Sequence, residues 1–247
     1  VAIATLEGNY QWAMKSARKV AENTHKKLMA DPAWATLQHY YSVPYHVAIK
    51  FSKWDELLRM CQSDTVRLKY PTAIRHYARG MALASKHQLV QAKTELQQLE
   101  KQMADPDIAK LTISGINHMT AILKIARQVL KAEILVQEGQ LASAIKMLRE
   151  AVVMEDALNY QEPPDWFFSV RHHLGAALLK AKSYDEAANV YNDDLVVFPR
   201  NGWALAGLHE AQINMGAVEE AKKTRTFLND AWKWADKELK SKMLNDF

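Results

Sequence analysis

The stretch EPPDWFFSVRHHLGAALL, residues 162–179, gathers the side chains most able to do chemistry: an acid, three aromatics, an arginine and the adjacent His172 and His173, behind two prolines. Imidazoles bind metals well, but a metal-binding helix carries its histidines four residues apart on one face, whereas adjacent positions diverge by about 100°. His39 and His46 are seven apart, with Pro44 expected to break the helix between them. Neither pair is read as a metal site, and no cofactor is expected. Nucleophilic catalysis needs a serine or cysteine beside a base on a rigid turn, and the chain has no glycine-rich elbow, phosphate loop or HExxH motif. Cys61, the single cysteine, stands near Leu57 and Leu58 and reads as a buried inert thiol. The acid pairs Glu155-Asp156 and Asp193-Asp194 read as solvated helix faces. These features describe a protein that is not an enzyme. The opening stretch reads mainly as a corner. Pro163-Pro164 sets an extended approach, Asp165 favours the positive end of the following helix, and Trp166, Phe167 and Phe168 pack. His172 and His173 are left as its binding edge.

The elements that must position these residues are helices. Only 8 glycines and 7 prolines leave little turn chemistry for a many-stranded fold, and the commonest residues are helix formers. A hydrophobic content of 49% argues against disorder. The net charge is +4, and the basic residues fall in dispersed pairs such as Lys26-Lys27 and Lys222-Lys223. That pattern lacks the continuous positive face of a nucleic-acid binder. No apolar run reaches about 18 residues, so no membrane insertion is expected.

Under the helices lies a repeat. Leu174, Gly175, Leu178, Ala187, Tyr191 and Pro199 mark one unit, and Leu208, Gly216, Ala221 and Leu228 mark the next, with Ala187 and Ala221 separated by 34 residues. Upstream, Gly80, Leu83, Ala92 and Leu96 take the same roles, as do Ala132, Leu135, Gly139, Ala144 and Ala151. The small position of each second helix falls at 13, 57, 92, 144, 187 and 221, giving irregular steps of 44, 35, 52, 43 and 34. Asp31-Pro32 and Asp105-Pro106 combine an Asp cap with a proline at the first helical position and place lengthened first helices there. Ser183 to Glu186 reads as a capping box. At the end, Leu228, Trp232, Ala235, Leu239 and Met243 form one apolar stripe, expected on a helix that caps the stack.

Period and pattern match the tetratricopeptide repeat, a 34-residue helix–turn–helix. The expected fold is therefore all-α: a right-handed tetratricopeptide-like superhelix of about six helix pairs, the first incomplete. One domain spans residues 1–247. Irregular repeats fill 1–104, a long first helix and its repeat 105–158, regular units 164–201 and 202–232, and the capping helix runs to 247.

The run from Glu155 to Leu208, with RHYARGMALA and VPYHVAIKFSKWDEL before it in the same order, resembles large bacterial tetratricopeptide-repeat proteins without an established activity. The resemblance covers most of the chain and implies that it corresponds to a C-terminal half, preceded by another repeat-bearing half and often an export signal. It implies a periplasmic or exported protein; without it the chain reads as cytoplasmic. It carries no catalytic assignment. Where family members often have glycine in the turn, this chain has Ser52 and Lys182.

The repeat family also implies which first-helix positions line the concave groove. They are His39 and His46; Tyr77 and Met81; Glu133 and Gln137; His172, His173 and Lys180; and Trp203, Glu210 and Asn214. Such a mixed surface suits a protein or peptide partner, among them the preceding half or a second copy of the chain. The alternative is a receptor or carrier for a small ligand or metal ion at the same histidines and aromatics.

Overall fold

The computed structural model describes residues 1–239. It is all-helical, with thirteen α-helices and one two-stranded hairpin among the described residues. Twelve of the helices form six consecutive pairs: α1 (Ala2–Leu6) with α2 (Tyr10–Glu22), α4 (Val43–Lys50) with α5 (Trp54–Ser63), α6 (Lys69–Ser85) with α7 (Leu89–Met103), α8 (Met119–Gln137) with α9 (Leu141–Asp156), α10 (Arg171–Lys180) with α11 (Tyr184–Val197), and α12 (Gly202–Asn214) with α13 (Val218–Ala231). The remaining helix, α3 (Thr36–Tyr41), precedes α4 and is separated from it at Ser42, two residues before Pro44.

One turn recurs in all six pairs. Gly8, Ser52, His87, Gly139, Lys182 and Gly216 each hold a left-handed φ, from 54° to 77°. In each, this residue's N–H reaches the carbonyl three residues back and the next N–H the carbonyl five back, as in Lys182 N to Leu179 O (2.9 Å) and Ser183 N to Leu178 O (2.9 Å). This double closure satisfies the orphan carbonyls at the end of the first helix and reverses the chain. Five residues after each turn residue comes Ala13, Leu57, Ala92, Ala144, Ala187 or Ala221, all fully buried. The irregular steps read from the sequence are therefore the steps between real turns.

Several local expectations change. Ser183 makes no side-chain cap bond, so the backbone turn alone starts α11. The Asp–Pro starts do not lengthen helices. Asp31 accepts from Ala33 N (2.9 Å) and caps only the short 3-10 turn Pro32–Trp34. Asp105 accepts from Asp107 N (3.0 Å) ahead of another such turn, and the inserted residues then form strands β1 (Thr112–Ile113) and β2 (Asn117–His118). The C-terminal stripe is not one continuous helix: α13 ends at Ala231, and Trp232 and Ala235 occupy turns. The extension of a capping helix from 240 to 247, including Met243, lies outside the described residues.

The chain forms two compact units. Within residues 14–168, α4 and α5 pack on α6, and α6 and α7 on α8. Gly80 admits Leu130, since a Cβ there would lie 2.6 Å from Leu130 Cδ2. The other unit joins Val1–Ala13 to the described residues from Ser169 to Leu239. In it, α10 and α11 pack on α12, and Leu205, Leu228, Trp232 and Ala235 form a core with Leu239 against its edge. No described helix is long and apolar enough to cross a membrane.

Candidate functional site

In the unit of residues 14–168, the positions expected to line an open groove are largely covered. His39, His46, Tyr77 and Met81 are all buried. Over His46 and Tyr77 lies the segment after α9, whose approach is pinned by Asn117 in the β2 strand. The Asn117 amide donates to Asn159 O (2.9 Å) and to Asp165 Oδ2 (2.8 Å), and its carbonyl accepts from Asn159 N (2.9 Å). Asp165 therefore bonds Asn117 and does not cap the next helix, which starts only at Arg171. Burial raises the Asp165 carboxyl, against the lowering effect of that hydrogen bond.

So held, Trp166 and Phe167 close over the histidine. The His46 ring stacks on Phe167 (centroids 6.1 Å, 17°) and meets Trp166 edge-on (5.8 Å, 82°), while Tyr77 lies 5.9 Å from Trp166. Phe168 follows Phe167 edge-on, with Lys50 Nζ 5.8 Å above its ring. His39 Nδ1 shares a hydrogen bond of 2.8 Å with the Tyr70 hydroxyl. Burial lowers His39 to about 3, helped by His46, and lowers His46 to about 4, so both imidazoles are neutral at pH 7. Two buried nitrogens, His46 Nε2 and Trp166 Nε1, have no hydrogen-bond partner among the described residues. Glu133 and Gln137 are half-buried on α8 and engage each other, Gln137 Nε2 donating to Glu133 Oε1 at 2.8 Å. Cys61 is buried, and burial pushes its thiol up to about 12, as befits an inert side chain.

In the other unit, His172 does not present its imidazole as a free edge. Its Nε2 lies 3.1 Å from Asp194 Oδ2, and the Asn201 amide donates to the same oxygen at 2.7 Å. Asp194 is fully buried, which corrects its reading as a solvated face. Burial alone would raise this carboxyl, but interaction with His172 and hydrogen bonds from Ser169 and Asn201 hold it below the usual range. Asn201 also caps α12, accepting from Trp203 N at 3.1 Å. His173 is half-buried on α10, and Lys180 is exposed near its end. Glu210 is half-buried and raised by burial, and Asn214 is exposed and donates to Glu210 O (2.8 Å).

Trp203 is not an open groove residue either. It meets Trp232 edge-on (5.3 Å, 80°), and its Nε1–H donates to Thr5 O at 2.8 Å. Trp232 Nε1–H donates to the next carbonyl, Leu6 O, at 3.2 Å. Further along the same segment, Asp236 N donates to Gly8 O (3.0 Å) and Tyr10 N to Asp236 Oδ2 (2.8 Å). Residues 1–10 are thus docked on α12 and the turns after α13. The partners lie 198 and 226 residues away in the chain, so no local pattern announces them. Asn117, Asp194 and Asn201 were missed for a similar reason, except that an Asn before Gly-Trp carries a helix-start signal.

Among the described residues, no three His, Cys, Asp or Glu side chains are grouped as a metal ion would need. Comparison with protein-family models, with curated proteins and with solved structures gives no match.

Proposed function

We propose that this chain is a non-catalytic scaffold of the tetratricopeptide type that binds a protein or peptide segment. The six pairs joined by one recurring turn, and the resemblance of their sequence to large bacterial tetratricopeptide-repeat proteins, support the repeat class. One observation carries the binding reading. Two indole N–H groups, Trp203 and Trp232, engage the consecutive carbonyls Thr5 O and Leu6 O of a short helix far away in sequence. A carbonyl oxygen accepts twice, so Thr5 O, which already accepts from Gly8 N, takes an indole as well, and a rigid pair of indole donors is suited to holding a helix end. The preferred partner is a short helical segment with an apolar face, from another protein, from a further part of a longer chain or from a second copy.

The test uses the chain lacking residues 1–9 and a labelled peptide of residues 1–10. Saturable binding is expected, weakened about 2- to 10-fold by Trp203→Phe, which removes one neutral hydrogen bond and keeps the ring. If the peptide does not bind a folded truncated chain, the reading fails.

A second reading, a receptor for a small polar ligand, is favoured by the unpartnered His46 Nε2 and Trp166 Nε1. Native against denatured mass of the protein from its own source separates the two. A retained small mass, lost in His46→Phe, supports the receptor; a second polypeptide supports the scaffold.

A further inference from the structure

Lined by none of the candidate groove residues, a cleft of about 430 Å³ opens in the unit of residues 14–168. Its floor is built on Asp64, the residue that ends α5. The Tyr41 hydroxyl donates to Asp64 Oδ1 (2.8 Å) and the Tyr45 hydroxyl to Oδ2 (2.5 Å). Val66 N also donates to Oδ1 (2.8 Å), and Arg75 Nη1 stands 3.8 Å from Oδ2. The carboxylate, with only 4% of its side chain exposed, thus accepts three hydrogen bonds beside one cation. Burial, then the hydrogen bonds to Asp64, raise both phenols, which therefore remain protonated with their hydrogens turned away from any ligand.

This arrangement decides what the floor can accept. A phenol whose hydrogen is committed offers only lone pairs, so the floor takes hydrogen-bond donors and disfavours an anion. The rim carries both signs of charge: two cations and the exposed carboxylate of Glu22. Lys26 is exposed and enters no ion pair among the described residues, and Arg18, held by Glu56 at 2.7 Å, also lines the cleft. Between floor and rim, Pro44 and Met60 provide an apolar wall. The volume is within the range of small-ligand sites.

We propose that this cleft binds a small zwitterion with an apolar body, an amino acid or the equivalent ends of a short peptide. Its ammonium group sits on the Tyr41 and Tyr45 oxygens and its carboxylate at Lys26. The site shares no residue with the segment-binding surface and is independent of that proposal.

Calorimetric titration of the full chain with L-leucine, with 3-methylbutylamine and with 4-methylpentanoate tests each end separately. L-leucine is expected to bind, and each half-ligand to bind at least about tenfold more weakly, the loss typical of a charge-assisted hydrogen bond. Lys26→Gln should weaken L-leucine and leave the amine unchanged. Tyr41→Phe, which keeps the ring, should weaken both. Lys26 is an exposed residue, so its variant keeps the test open should Tyr41→Phe not fold. Binding of 4-methylpentanoate as tight as L-leucine overturns the proposal. So does the absence of L-leucine binding at millimolar concentration, or an L-leucine affinity indifferent to Lys26→Gln.

For a peptide source of the same ends, glycyl-L-leucine replaces L-leucine. Tighter binding of the dipeptide assigns the site to peptide ends, and tighter binding of L-leucine assigns it to a free amino acid; either outcome supports the zwitterion.

Discussion

The Tyr191 ring offers the sharpest test of how α10, α11 and α12 are held together. It is buried between two glycines: a Cβ on Gly175 would lie 2.3 Å from Tyr191 Cζ, and one on Gly207 would lie 2.1 Å from the same atom. Carbon atoms in contact prefer about 3.5–4.0 Å. Gly207→Ala therefore requires the ring to retreat by more than about 1 Å, and the backbone at Gly175 blocks the retreat. Overpacking of this kind costs about 1–3 kcal/mol. Ala in place of a mid-helix Gly returns about 1 kcal/mol. With the ring gripped on both sides the upper part of the range applies, and the net loss is about 1–2 kcal/mol. For a chain of this size that lowers Tm by about 2–8 °C. The decisive comparison is a double-mutant cycle with Tyr191→Leu, followed by circular dichroism and tryptophan fluorescence. With the ring shortened, the clash disappears and Gly207→Ala should turn neutral or stabilising, a coupling of about 2 kcal/mol. Equal destabilisation in both backgrounds would refute the steric argument.

Three further outcomes are expected. Asn117→Ala removes three hydrogen bonds from a buried position and should cost about 1–3 kcal/mol; limited proteolysis should then cut within residues 158–168 much faster than in the parent, and unchanged cleavage would mean the segment is held otherwise. His39 and His46 are neutral in the fold, lowered to about 3 and about 4, but near 6.5 when unfolded. The unfolded chain therefore takes up their protons as pH falls below about 6.5, and stability should drop by about 2 kcal/mol per histidine by about pH 5. Urea midpoints against pH should show this, and His46→Gln should roughly halve the slope. Lys182→Gly relieves a non-glycine left-handed residue at φ 61° and should raise stability by about 1 kcal/mol, read as a Tm increase of a few degrees; a decrease would show that the Lys182 side chain matters more than its backbone.

The parts of this protein legible in its sequence are those decided within a helix or a turn. Alanine at 92, 144, 187 and 221 marks close helix approach, and these positions are the buried ones. Helical periodicity and the buried residue after each reversal, alanine in five of the six pairs, are local, and they reported the pairs and their uneven spacing. Even the turns occupied by Ser52, His87 and Lys182 keep the geometry of those with glycine, because their paired carbonyl bonds outweigh a modest conformational cost. Periodicity says which face of a helix a residue occupies and nothing about what covers that face. His46 and Tyr77 stand at groove positions yet are buried, because Asn117 pins a segment that lays Trp166 and Phe167 over His46. Asp193 and Asp194 are neighbours in sequence, but only Asp194 meets His172 and Asn201 from two other elements. The docking of Thr5 and Leu6 on two tryptophans spans almost the whole chain, and only the packed tertiary structure brings those groups together.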